Sequence, residues 1–333
     1  MQGVELLSRT SDGRRTPEES EAGAPLRLSS LEKHAHQPQV EGLRRAAVWG
    51  VTCNNIAFMA VPRSVPACFA ATGWTGGLIC LVYSSVVTYD TGVVLGEVCA
   101  WHPTLSSFPL LVGEACATRA SRAGRDAGRW RSIGHVATFT LQFLTYFLTG
   151  VAELIYFEQF FGQLFDRSPL CQWEWLLIVA LICLPVMQVP SFHDTRWAAL
   201  CLGILPLLIN VAVFFYEVLL VRPWNCEPGP SYRQPDLQSF FLGFSAFAYA
   251  FGGHGLYPEE LREMAEPSKW RRVMQLTYAA VIPLYFSVGL LGYGAYGDFA
   301  QANINLNFPQ NLMNMLSLGV QLIQARFSDG VLL

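Results

Sequence analysis

Two short stretches of this 333-residue chain combine chemically able side chains with residues that break helices. In the first, Ala60-Val61-Pro62-Arg63-Ser64-Val65-Pro66, two prolines bracket an arginine. Each proline removes a helical hydrogen bond and clashes with the preceding turn. In the second, Tyr249-Ala250-Phe251-Gly252-Gly253-His254-Gly255-Leu256-Tyr257-Pro258-Glu259-Glu260, three glycines surround a histidine, and a proline and two acids follow. A glycine costs a helix interior about 1 kcal/mol relative to alanine. Both stretches interrupt long apolar runs. Unwound backbone there offers N–H groups to an anion and carbonyls to a cation, next to a guanidinium or an imidazole. Two readings of Arg63 stay open. The helix ends near Val61 and Arg63 reaches an interface, or it resumes after a break and Arg63 faces a wet cavity. His254 likewise reads either as a ring hydrogen-bonded to a neighbour or as a titratable group beside an unwound segment.

The elements that must position these groups are membrane spans. Apolar residues make up 52% of the chain and charged ones 14%, against about 25% charged in soluble proteins. A helix needs about 20 mostly apolar residues to cross the hydrocarbon core. Eight candidates are present, at 46–71, 73–100, 133–161, 173–190, 197–221, 239–257, 275–297 and 309–324. They form an all-α integral membrane domain over 46–324, which makes the lipid bilayer a partner. The first 45 residues, rich in Ser, Pro, Glu and Arg, read as a disordered cytoplasmic tail, and 325–333 as a short tail. With the N-terminus in the cytoplasm, eighteen of the twenty-two basic residues fall inside. Five of these lie in a basic loop within 101–131, and four at Arg262, Lys269, Arg271 and Arg272. Arg63, Arg167, Arg222 and Arg233 fall outside. This asymmetry sets the orientation.

Composition also excludes functions. A net charge of −3 without a basic stripe argues against nucleic-acid binding. The six histidines are scattered, no HExxH or GxSxG occurs, and no Cys/His set has zinc spacing. Neither enzyme chemistry nor a metal or cofactor is expected. Six of the nine cysteines fall in or at the ends of spans, and Cys116 faces the cytoplasm. Only Cys171 and Cys226 lie in outer loops, which makes them a candidate disulfide on the oxidising side. It would close about 55 residues, for on the order of 4 kcal/mol. Acids inside spans are candidates for carrying a coupling ion. Asp90 and Glu153 lie deepest, whereas Glu158 and Glu217 also read as reaching the outer interface.

The run Ala246–Pro267, with Gly253-His254, Met264 and Pro267 in order, resembles the sixth span of the amino acid/auxin permease family, the transmembrane amino acid transporters. Gly292-Tyr293-Gly294-Ala295-Tyr296-Gly297-Asp298 resembles the end of that family's seventh span. Pro66 followed by Gly73-Trp74 resembles the end of its first. The resemblance covers roughly 46–324. It implies a LeuT-type bundle, with two inverted repeats of five helices and discontinuous spans one and six. It implies amino acid substrates, coupling to protons or sodium, and a plasma or vacuolar/lysosomal-type membrane. Ala60, Val61, Arg63, Ser64, Tyr249, Gly252, Gly253 and His254 would then bind substrate, and Asp90, Glu153 and His254 would carry coupling. The family has about eleven spans, and eight are expected here. Where the family carries Gly-x-Gly before the first-span proline, this chain has Met59 and Val61. Arg63 is the candidate replacement partner for a carboxylate.

Overall fold

The computed structural model describes residues 47–102, 104–105, 107–165, 168–187 and 199–332. The expected tail at 1–45 and the junction of spans four and five lie outside these. Among the described residues every regular element is helical.

Helix α1 (Val48–Met59) ends where the first proline approaches. Ala60 and Val61 leave helical geometry at ψ 81° and ψ 69°, and a single 3-10 turn, Pro62–Ser64, follows. Helix α2 (Val65–Trp101) then starts with Pro66 in its first turn, where a missing N–H costs nothing. Gly73, at φ 73° and ψ 175°, kinks α2 and separates the first two expected spans. Only glycine enters that backbone region at no steric cost.

The stretch 101–131 departs from the expected loop. It contains helix α3 (Phe108–Arg122), which packs against α4 (Ala127–Leu164). The reason is a face of small residues. A Cβ on Gly113 would meet the Arg131 carbonyl at 3.0 Å, and one on Gly134 would meet the Cys116 sulfur at 2.8 Å, so the two backbones approach closely. Asp126 starts α4 by accepting hydrogen bonds from the Gly128 and Arg129 amides at 2.9 and 3.3 Å. The arginines project from this hairpin, and Arg131 pairs with Glu114.

Next come α5 (Gln172–Met187), a π-helical turn at Ala199–Ile204, α6 (Leu205–Tyr216) and a second π-helical turn at Glu217–Val221. Helix α7 (Leu237–Ala250), capped by Asp236, leads to the glycine-rich stretch and the short α8 (Tyr257–Glu263). Helices α9 (Trp270–Tyr296) and α10 (Leu312–Leu332) complete the described chain. Helix α10 continues through 325–332, where a tail was expected.

Among the described residues, four stretches are long and apolar enough to cross a membrane: Val48–Trp101, Ala127–Leu164, Leu200–Asn225 and Pro267–Phe299. The first holds 54 residues around its breaks. Gln172–Ile182, Leu237–Ala250 and Leu312–Leu322 are apolar but shorter. The outward face of α4 exposes Val136, Phe139, Phe143, Phe147 and Leu148, a surface suited to hydrocarbon rather than water. At the centre, α2 lies against α7 and α9, and α1 against α9. Phe69, Phe247, Phe251, Tyr257 and Tyr285 fill the space between them.

Candidate functional site

The two breaks open onto one cavity of about 840 Å³, whose wall is mostly apolar. Val61, Arg63 and Ser64 line it from the first break, and Tyr249, Gly252, Gly253 and His254 from the second. Helix α4 supplies Gln142, Thr145, Tyr146, Thr149, Glu153 and Tyr156. Thus seven of the eight residues expected at a substrate site share one wall. Ala60 is not on it: the residue is fully buried, and its carbonyl accepts from Gln324 Nε2 at 3.4 Å. Of the coupling candidates, Glu153 and His254 are on the wall. Asp90 stands exposed on α2 and is not brought to the cavity.

The breaks are held together by a residue that sequence reasoning missed. The Tyr285 hydroxyl, on α9, donates to the carbonyls of Met59 and of Ala250, the latter at 3.0 Å. It accepts from the Val61 amide at 3.3 Å. One hydroxyl, its single proton shared between two carbonyls, therefore touches backbone at both breaks, where the Val61 amide also donates to the Met59 carbonyl at 2.8 Å. Buried backbone groups without partners are expensive, so the unwound geometry depends on this contact. The only signal was a hydroxyl in mid-span, two residues after Pro283.

Arg63 does not stand alone. Its Nη2 donates to Glu153 Oε1 and Oε2 at 2.9 and 3.0 Å, and its guanidinium stacks 4.6 Å from the Tyr156 ring centre. The side chains are 12% and 21% exposed, both toward the cavity. Arg63 Nε is buried and has no partner among the described residues.

His254 is turned toward α2, with Nε2 2.7 Å from Thr91 Oγ1. On the wall, Tyr249 and Thr149 hydroxyls meet at 2.7 Å. Gln142 Nε2 donates to the Gly255 carbonyl at 3.3 Å. A Cβ at Gly255 would come within 2.4 Å of the Tyr146 hydroxyl, so glycine is what admits α4 to the second break.

Beyond the cavity, Glu158 and Glu217 are buried, at 8% and 0% exposure. Asn311 Nδ2 donates to Glu217 Oε1 at 2.7 Å. Asn311 in turn caps Asn314, which bonds Asn305, and Asn305 Nδ2 donates to Ser317 Oγ at 2.9 Å. Ser317, Asn210 and Gln324 carry this polar seam on to the Ala60 carbonyl. On the side of α1 nearer its start, Asn54 Nδ2 donates to Glu260 Oε1 of α8 at 2.7 Å. Glu260 Oε2 and Asn54 Oδ1 are buried there without partners. Glu260 follows the sixth span. Burial pushes its carboxyl up to about 8, the Asn54 and Asn55 amides pull it down, and the charges of Glu263 and Glu259 add to the rise. Cys171 and Cys226 are exposed free thiols, so the expected disulfide is not made in this structure. Cys171 sits at the entry to α5, its amide donating to Glu174. Cys226 closes the 3-10 turn after Arg222.

A cavity walled by two broken apolar helices and edged by an ion pair lies within an all-helical fold whose helices are apolar enough for a membrane protein. The chain belongs to the transmembrane amino acid transporter protein family, whose model matches residues 49–325. It is 20% identical to the amino acid transporter AVT1B of Arabidopsis thaliana over 258 residues, covering 75% of this chain and 44% of that relative. It is 23% identical to GABA transporter 1 of the same plant over 256 residues, covering 74% and 54%. Against the vesicular inhibitory amino acid transporter of Mus musculus it is 22% identical over 282 residues, covering 82% and 50%. The chain spans about half the length of these curated relatives. No solved structure matches it.

Proposed function

We propose that the protein is a secondary active transporter that moves amino acids across a membrane by alternating access, driven by a proton or sodium gradient. The carrying observation is that two helix breaks far apart in sequence share one cavity and one hydroxyl, that of Tyr285. A rocking bundle needs unwound backbone where its halves meet, and such backbone survives in a bilayer only where it is buried or lines a cavity. The names of the relatives support amino acids, 4-aminobutyrate among them, as the substrate class. The architecture we assign is LeuT-type, with spans one and six discontinuous and the N-terminus cytoplasmic. Coupling falls to Glu153 or His254.

Uptake of labelled amino acids into proteoliposomes, with binding measured in parallel, tests this reading. Gradient-driven uptake is the expected result. Binding without uptake under any gradient would instead make the protein a sensor, and neither would make the chain an inactive portion of a transporter. Labelling of single introduced cysteines within 101–131 and 258–273 from the inner side only is expected; labelling from outside only would reverse the orientation.

A further inference from the structure

The cavity wall has a charge pattern that reaches beyond amino acids in general. Of the described residues lining it, Arg63 and Glu153 alone carry full charges, and these neutralise each other. A ligand of net charge entering this apolar space leaves an uncompensated charge behind, which low-dielectric surroundings penalise heavily. A ligand bearing both signs does not. The pair also has spare capacity. A single nitrogen of Arg63 serves both oxygens of Glu153, and Arg63 Nε is buried and unpartnered. The guanidinium carries five N–H donors in a fork suited to a second carboxylate, and each carboxylate oxygen has a further lone pair. Both side chains stay partly open to the cavity.

Resting on the transport reading above, we propose that the Arg63–Glu153 pair selects the substrate. It takes a zwitterion of zero net charge, the carboxylate meeting Arg63 and the ammonium meeting Glu153, and it turns away cationic and anionic amino acids. Tyr156, stacked on Arg63, fixes the plane in which the carboxylate docks. Glu153 is then the ammonium partner.

The test uses the purified full chain in lipid nanodiscs. The twenty protein amino acids and 4-aminobutyrate are screened for binding, and the tightest binder is compared with its primary amide and its deamino acid. Wild type is expected to bind the zwitterion and to bind both analogues about 10- to 100-fold more weakly, the range for losing a hydrogen bond to a charged group. Arg63→Gln is expected to shift preference toward the amide, a cation, and Glu153→Gln toward the deamino acid, an anion. Should a single variant fail to fold, the neutral double variant Arg63→Gln/Glu153→Gln leaves no unpaired charge. It is expected to lose zwitterion binding by a similar factor. Zwitterion binding at wild-type affinity in the double variant would make the pair structural and overturn the proposal. So would a wild type that binds amide and zwitterion equally. A wild type that binds no compound in the screen would overturn the amino acid reading itself, and this inference with it.

Discussion

Glu153 and Glu260 are both held in the interior beside a helix break, and they are held differently. Glu153 faces a guanidinium at 2.9 Å across the central cavity. Glu260 faces side-chain amides, Asn54 at 2.7 Å among them, where α8 meets α1. An opposite charge within a few ångströms keeps a carboxylate ionised, whereas burial beside neutral dipoles favours the protonated form. The first carboxylate thus has a charged partner at the edge of the cavity. The second sits where α8 meets α1, and burial raises its carboxyl toward neutral pH.

The largest effect is expected from breaking the fixed pair. Removing one member of a buried ion pair strands the other, for about 3–5 kcal/mol. Exposure to the cavity puts Glu153→Gln near the low end, about 3 kcal/mol. A thermal melt in detergent should show this loss, and the double neutral variant should recover much of it. Next is Tyr285→Phe. It removes the hydroxyl that the Met59 and Ala250 carbonyls share, while the Val61 amide keeps only its 2.8 Å bond to the Met59 carbonyl, for about 1–3 kcal/mol. Hydrogen exchange at Val61 should speed up while the amides of α4 keep their protection.

The titrating acid gives a pH signature. Folding raises the Glu260 carboxyl from its ordinary 4.5 to about 8, so the folded state binds more protons than the unfolded one between those values. Stability is then full below about 4.5 and falls as pH rises toward about 8. Melts of wild type across that window should decline, and Glu260→Gln should flatten the curve. An unchanged slope in the variant would remove Glu260 from the account. The smallest expected effect is that of Asn54→Ala. Losing the amide that donates to Glu260 Oε1 should move the Glu260 midpoint further up.

How much of this was legible in the chain follows from how local each signal is. Proline and glycine act on their own backbone, so Pro62, Pro66 and the Gly252–Gly255 stretch announced both breaks and the residues that would face inward there. Arg63 was visible as an oddity, but its partner lies ninety positions away, and no pattern in either stretch couples the two. Asp90 and Glu153 looked alike in sequence because depth in a span says nothing about the side of the helix. The structure puts one on an exposed face and the other on the cavity wall. The helix at Phe108–Arg122 was hidden by its arginines, which mark the cytoplasmic side in a charge count but here decorate a hairpin zipped by Gly113, Ala117 and Gly134. Tyr285 was the largest omission, because a tyrosine in an apolar helix reads as core until the backbone groups it serves are located.

The central claim is that both breaks line one site that takes an amino acid. Ser64→Cys and Tyr249→Cys, each made with the exposed Cys171, Cys201 and Cys226 changed to serine, place a thiol at one break or the other. The rate at which a small thiol reagent labels each is then followed as the tightest-binding amino acid is titrated. The account expects protection at both positions with the same half-maximal concentration. Protection at one position alone, or at neither while the amino acid remains bound, would contradict it.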